Sequence, residues 1–277
     1  MNIDGKKISE EILEDIKEKI SIISDDITLA IILVGDDDAS KVYVKNKEIA
    51  CNKVGMKSIV YNMDNNTSED EVIKLIEDLS NDDSIHGIIL QSPVPNNIDF
   101  LNCVSHINPL KDVDALGMSL TYNNYLNKNT LLPCTVSGIL KLIDLHLKDI
   151  SGMNVCIVGR SNLVGKPLSL ALLNKDATVT ICHSKTKNLG KITKESDILI
   201  VACGVPKLIK RNMVKKGCFV IDVGINRVDG KLVGDVDYKN VYKKCSYITP
   251  VPKGVGPMTV AYLISNTYEC YNLNRRI

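Results

Sequence analysis

The stretch Met153-Asn-Val-Cys-Ile-Val-Gly-Arg-Ser-Asn-Leu-Val-Gly-Lys-Pro167 constrains this chain more than any other. Val155 to Val158 are apolar and run straight into Gly159, and a second glycine follows at Gly165. Leu168, Leu170, Ala171 and Leu172 then read as an apolar helix. A strand, a tight glycine turn and a helix present backbone N–H groups at a helix N-terminus, where phosphate binds. The turn is not a full G-x-G-x-x-G fingerprint, because Arg160 and Ser161 follow Gly159 and the next glycine is Gly165. It is not a P-loop either: five residues separate the glycines, and Lys166 is followed by Pro167 rather than Ser or Thr. Two readings stay open on this pattern alone, a dinucleotide site and an ordinary strand-to-helix connection.

The next strand favours the first reading. Ala177-Thr-Val-Thr-Ile-Cys-His-Ser184 alternates β-branched residues and ends about 20 residues beyond the turn, where an NAD-binding fold places its ribose-holding acid. No acid stands there. His183, Ser184 and Lys185 do, with Arg160 on the glycine turn. A carboxylate repels a 2′-phosphate, whereas guanidinium, ammonium and hydroxyl groups hold one through charge-assisted hydrogen bonds. A dinucleotide at this site is therefore NADP rather than NAD.

At 277 residues the chain is long enough for two domains. Its net charge of +1 gives no ground for a nucleic-acid surface. The nine cysteines are scattered without a C-x-x-C pair, which points to reduced thiols in a cytoplasm rather than disulfides or zinc. His86, His106, His146 and His183 offer no ligand cluster, so no metal is expected. The N-terminus has no apolar core of a signal peptide, and no 18-residue apolar run exists to enter a membrane.

Ile8, Ile12, Ile16, Ile20 and Ile23 recur at helical spacing and predict an amphipathic first helix. Leu29 to Val34 reads as a buried strand, followed by a helix from about Ser40 and a strand near Met56 to Tyr61. Ser68 to Glu71 is a capping box for a helix over Val72 to Leu79, and Ile85 to Gln91 reads as the next strand. Such alternation predicts βαβ units around a parallel sheet. A short helical stretch spans Asp99 to Ile107. The polar segment Leu120 to Asn129 reads as a crossing between domains, and Thr135 to Lys148 as a helix linking them. Strands are expected at Val155–Val158, Val179–Cys182, Asp197–Ala202 and Cys218–Val223. Pro250 to Pro257 reads as a loop before a closing helix, Met258 to about Tyr271.

The helix after Ser40 carries a charge in an apolar place. Tyr43, Lys47, Ala50 and Val54 fall at i, i+4, i+7 and i+11, while Lys41, Lys45, Glu48 and Asn52 share the opposite face. Lys47 is thus paired, snorkelling or functional. Burial alone can bring a lysine from ~10.4 to near neutrality, at about 4.6 kcal/mol. Gln91, at a strand end, can accept from the amine without restoring charge. Asp114 can hold a donor-rich ligand edge, or simply cap a turn.

Seven segments then carry a resemblance: Tyr43–Lys47, Gln91–Pro95, Lys111–Asp114, Pro133–Thr135, Val158–Pro167, Asp222–Asn226 and Pro250–Thr259. In this order they resemble the bifunctional methylenetetrahydrofolate dehydrogenase/cyclohydrolase family over nearly the whole chain. The resemblance implies a cytoplasmic homodimer of one-carbon metabolism and purine biosynthesis, with no nucleic-acid or membrane partner. It implies two α/β domains with a folate cleft between them: residues 1–119 for folate and catalysis, with 257–277 packing back on them, and a Rossmann-like NADP domain over 135–250. Such enzymes pass a hydride from 5,10-methylenetetrahydrofolate to NADP and hydrolyse the methenyl cation to 10-formyltetrahydrofolate. By the same resemblance Lys47 is the catalytic amine, Gln91 tunes it, Tyr43 stacks on the folate and Asp114 holds the pterin. Pro252 and Gly256 join these on the substrate side, and Gly159, Arg160, Ser161, Gly165, Ser184 and Ile225 hold NADP.

The chain departs from the family at Ala115 and Lys253, where glycine is usual, and at Ser92, where leucine is usual. If Ala115 adopts a positive φ, strain on the order of 1 kcal/mol follows. Two other readings compete: a shikimate-type NADP dehydrogenase, and a folate- or NADP-binding regulator without turnover.

Overall fold

The computed structural model describes residues 1–128 and 130–275. In chain order its elements are α1 (Gly5–Ser21), β1 (Thr28–Val34), α2 (Asp38–Val54), β2 (Lys57–Met63), α3 (Glu69–Asn81), β3 (Gly87–Leu90), α4 (Phe100–Ser105), α5 (Met118–Tyr125) and α6 (Cys134–His146). There follow β4 (Asn154–Val158), α7 (Gly165–Leu173), β5 (Thr178–Cys182), α8 (Leu189–Glu195), β6 (Ile198–Val201) and β7 (Phe219–Asp222). The chain closes with β8 (Asn226–Val228), β9 (Lys231–Val233), α9 (Tyr238–Val241), β10 (Tyr247–Ile248) and α10 (Val255–Asn274). Among the described residues, no helix is long and apolar enough to cross a membrane.

The chain divides into two compact units. One contains Glu10–Asn123, the segment ending at Cys134 and the chain from Val260 on. Its sheet is parallel, with order β2-β1-β3. All seven residues of β1 are buried, because the strand is central and covered on both faces. On one face Leu29, Ile31 and Leu33 pack with Ile16 and Ile20 of α1 and with Ala261, Ile264 and Tyr271 of α10. On the other, Ala30, Ile32 and Val34 pack with Val72 and Ile76 of α3. The capping box forms as expected, with the Ser68 and Glu71 side chains each bonding the other's backbone N–H.

The second unit contains Thr135–Thr259 with Met1–Ser9 and Asn124–Lys128. Its five-stranded sheet has order β10-β7-β6-β4-β5, and every pairing is parallel. From β4 the chain first goes outward to β5 and then returns to β6 on the other side. That reversal opens a crevice at the carboxyl ends of β4 and β6, where doubly wound sheets take their ligands.

Several sequence expectations need correction. Ile23 lies beyond α1, which ends at Ser21. The segment read as a polar crossing does pass from one unit to the other, at Asn123–Asn124, but it contains a helix, α5, and is partly buried: Asn124 is 5% exposed and its carbonyl accepts from the Asn174 amide at 3.0 Å. Position 129 of that crossing lies outside the described residues, as do positions 276 and 277 of the closing segment. The loop before α10 is shorter than expected, since the helix starts at Val255 and holds Pro257 in its first turn, where a missing N–H costs nothing. Tyr43 is 39% exposed, so the buried face of α2 consists of Ser40, Val44, Lys47, Ala50, Cys51 and Val54 instead.

Candidate active site

Lys47 lies 9% exposed on α2, and its Nζ donates to Gln91 Oε1 at 2.8 Å. Gln91 directly follows β3, and its backbone N–H bonds the Ile32 carbonyl of β1 at 2.8 Å, which fixes where its side chain starts. Its own amide nitrogen donates to the Ser92 carbonyl. Burial lowers the Lys47 pKa, opposed by the Asp114 carboxylate and by the Cys134 and Cys51 thiols. A neutral amide acceptor and one half-buried carboxylate are weak compensation for a desolvated ammonium, so the arrangement shifts the balance toward the free amine relative to an exposed lysine. Burial also pushes the Tyr43 phenol up.

Asp114 is held from both sides. Before it, the Val113 carbonyl accepts from Asn266 Nδ2 at 2.8 Å and from the Cys134 thiol at 3.2 Å. After it, Ala115 turns the chain at φ 52, and Asp112 Oδ2 accepts the Gly117 N–H at 2.7 Å. Sequence reasoning gave no part to Asp112 or Asn266. Nothing in a lone helical asparagine announces such a clamp. Ser40 was also passed over; it stands at i−7 from Lys47 on the same face, and its hydroxyl is buried with no protein partner. The helical spacing was the signal available there.

In the other unit, β4 delivers Gly159 with φ 134. A Cβ there would collide with the Ala202 carbonyl after β6, and a Cβ on Gly165 would collide with the Gly159 carbonyl. Two close backbone approaches thus require the two glycines, and they bring the start of α7 against the end of β4. Ser161 Oγ accepts the Val164 N–H at 3.1 Å, tightening the turn. Arg160, Ser161 and Ser184 are exposed around it, and Ile225 is 42% exposed. A Cβ on Gly256 would stand 3.5 Å from Ile225 Cδ1. Pro252 is exposed in the preceding loop. A glycine turn at a helix N-terminus that itself carries Arg160 and Ser161, with Ser184 two residues past β5, which pairs with β4, fits a dinucleotide carrying a 2′-phosphate. Among the described residues, no group of three His, Cys, Asp or Glu side chains is placed to hold a metal.

Comparison with known proteins bears directly on this geometry. The family model for the tetrahydrofolate dehydrogenase/cyclohydrolase catalytic domain matches residues 3–114, and that for its NAD(P)-binding domain matches residues 133–275. The bifunctional protein FolD of Agathobacter rectalis is 49% identical over 271 residues, covering 96% of this chain and 97% of the relative. The chain belongs to the tetrahydrofolate dehydrogenase/cyclohydrolase family. Among solved members, the Campylobacter jejuni bifunctional enzyme FolD has a TM-score of 0.96 at 44% identity, with 99% of each chain covered. The Trypanosoma brucei dehydrogenase-cyclohydrolase, solved with NADP cofactor and inhibitor, has a TM-score of 0.96 at 31% identity, covering 100% of this chain and 99% of that one. Shikimate dehydrogenase from Aquifex aeolicus reaches 0.55 at 11% identity, covering 91% and 94%, which is a likeness of fold alone.

Within this family the departures noted above acquire a physical meaning. Ala115 and Lys253, which stand where the resemblance expects glycine, have φ of 52 and 81. Both side chains therefore occupy backbone conformations that glycine adopts without strain. No structural account of Ser92 emerges.

Proposed function

We propose that this protein oxidises 5,10-methylenetetrahydrofolate to the methenyl cation with NADP and hydrolyses that cation to 10-formyltetrahydrofolate. Folate chemistry is assigned to residues 1–119 with 257–277, and nucleotide binding to 135–250. The observation that carries the reading is the buried Lys47 amine with a neutral amide as its acceptor, in a chain of this family.

The two steps ask different things of the residues. Bound NADP supplies the hydride acceptor, and the folate nitrogen lone pair stabilises the cation as it forms, so orientation matters more than proton transfer. Asp114, fixed from both sides, is suited to accept from the donor edge of a pterin, and the exposed Tyr43 ring to cover its face. Hydrolysis needs a group that takes a proton from water beside a cationic substrate. An ammonium would repel that cation, whereas a free amine accepts the proton as water adds. Gln91 orients Lys47 without adding charge. Arg160, Ser161 and Ser184 hold the phosphates of NADP, Gly159 and Gly165 let the backbone approach them, and Ile225 borders the nucleotide. Pro252 and Gly256 border the substrate.

Purified protein should reduce NADP in the presence of methylenetetrahydrofolate, prefer it to NAD, and hydrolyse the methenyl compound. Lys47→Met should lower hydrolysis by roughly 10²–10⁴-fold, the usual worth of a proton-transfer group. Normal hydrolysis by that variant would overturn the role given to the amine. The proposal extends to a cytoplasmic homodimer, for which light scattering should give twice the chain mass of 30.5 kDa.

A further inference from the structure

Two carboxylates that the chemistry above does not use lie inside the nucleotide-binding unit. Asp222 ends β7 at 2% exposure, and Asp235 follows β9 at 0%. Asp222 Oδ1 accepts the N–H groups of Gly224 at 3.2 Å and Asp235 at 2.9 Å, and its Oδ2 accepts that of Val236 at 2.9 Å. Asp235 Oδ2 accepts the N–H groups of Cys203 at 2.8 Å and Gly204 at 2.9 Å, while its Oδ1 accepts from Asn226 Nδ2 at 2.9 Å. Each carboxylate therefore gathers three donors. The chain also leaves room for them: a Cβ on Gly224 would collide with the Asp235 carboxyl, and one on Gly234 with that of Asp222.

What these groups hold matters for the site. Cys203 and Gly204 directly follow Ala202, whose carbonyl is the surface against which Gly159 packs. Gly224 directly precedes Ile225. The pair thus ties the loops after β6 and β7 to one another and to the segment after β9, at the carboxyl edge of the sheet. We propose that Asp222 and Asp235 are positioning residues for NADP, fixing both loops in the arrangement the nucleotide needs before it arrives. The inference rests on the NADP reading above and adds to it how the binding edge is set.

Preorganisation of this kind acts on affinity, because loops already ordered need not be ordered by the ligand. It also brings a sensitivity to pH. Burial pushes the Asp222 carboxyl up to about 7, reinforced by the Asp235 charge and opposed by the three N–H donors. The titratable groups facing it are the Asp235 carboxylate and the Cys203 thiol, which burial pushes up to about 12 and which therefore stays neutral, while the Thr249 hydroxyl accepts the Asp222 backbone N–H at 2.8 Å. As pH falls through about 7 the Asp222 charge is lost and its hold on three backbone donors weakens.

The test exploits the fact that hydrolysis of the methenyl cation consumes no nucleotide. NADP Kd is measured by calorimetry on the full chain, and hydrolysis is measured in parallel. Asp235→Asn should raise the NADP Kd roughly tenfold while leaving hydrolysis at the wild-type rate. Between pH 8 and 6 the wild-type Kd should rise more steeply than that of Asp222→Asn. Titration of the nucleotide's own phosphate is common to both proteins and cancels in that comparison. If Asp235→Asn does not fold, Asn226→Ser, which removes one donor and keeps both carboxylates, should shift the Kd in the same direction by less. Wild-type NADP affinity in the folded variants would overturn the inference. So would hydrolysis falling in step with binding, since the pair would then be a general prop of the fold. A wild-type chain that hydrolyses the cation but binds no NADP would instead overturn the NADP reading itself, and this inference with it.

Discussion

A carboxyl group in the interior is stable only if something answers its charge, and Asp112 is answered incompletely. It is 1% exposed, Gly117 donates to Oδ2, and Oδ1 has no protein partner. Burial raises its pKa from 3.8 to about 6, with Asp114 adding and backbone N–H groups opposing. A carboxyl raised in the folded state contributes stability that is complete below its unfolded pKa and disappears as pH rises through the folded one. Asp112→Asn removes that dependence, so urea denaturation at pH 4.5 and 7.5 should show the variant gaining on the wild type by up to about 2 kcal/mol at the higher pH. Ala115, three residues on, offers a second check. Ala115→Gly should stabilise the chain by about 1 kcal/mol in the same assay, since glycine accepts φ 52 without a Cβ clash. Such costs are invisible in a sequence. Lys47 could be picked out because helical spacing placed a charge among apolar residues. Asp112 stands beside Asp114 in a run that looks like an ordinary polar turn, and only its surroundings distinguish it.

The unit of strand, turn and helix from β4 to α7 shows what pattern reveals and what it hides. The apolar run into Gly159 was legible because a central parallel strand is apolar on both faces, and β4, β6 and β7 were found for the same reason. That Gly165 packs on the Gly159 carbonyl was not legible, since it depends on how the turn closes. Gly165→Ala should accordingly raise the NADP Kd at least roughly tenfold, the cost of overpacking a tight backbone contact, while hydrolysis of the methenyl cation continues; calorimetry and the hydrolysis assay together check it. The β8–β9 hairpin was missed although its signal was present. Asp229 and Gly230 turn it with φ of 49 and 73, the left-handed pair that an Asp-Gly dipeptide favours between strands. Strands of three residues are simply too short for alternation to show. The two-residue β10 is shorter still and is defined by its pairing with β7.

Across the whole chain the nine cysteines behave as small apolar side chains. Seven are buried, and only Cys203 and Cys245 are partly accessible. Burial pushes Cys51, Cys203 and Cys218 up to about 12, so these thiols stay protonated near neutrality. A thiol-reactive dye should therefore label no more than Cys203 and Cys245 promptly in the native protein and all nine cysteines after denaturation; prompt labelling of more would contradict the packing. The course of α10 carries a further consequence. Its residues Ala261, Leu263, Ile264, Cys270 and Tyr271 cover one face of β1, a strand made more than two hundred residues earlier. During synthesis that strand leaves the ribosome long before its cover exists, and the parallel five-stranded sheet has all of its strands in hand first. The earliest-made half of this molecule is thus the last to be sealed, and a ribosome that stalls short of the final helix releases a chain with its first sheet still open to water.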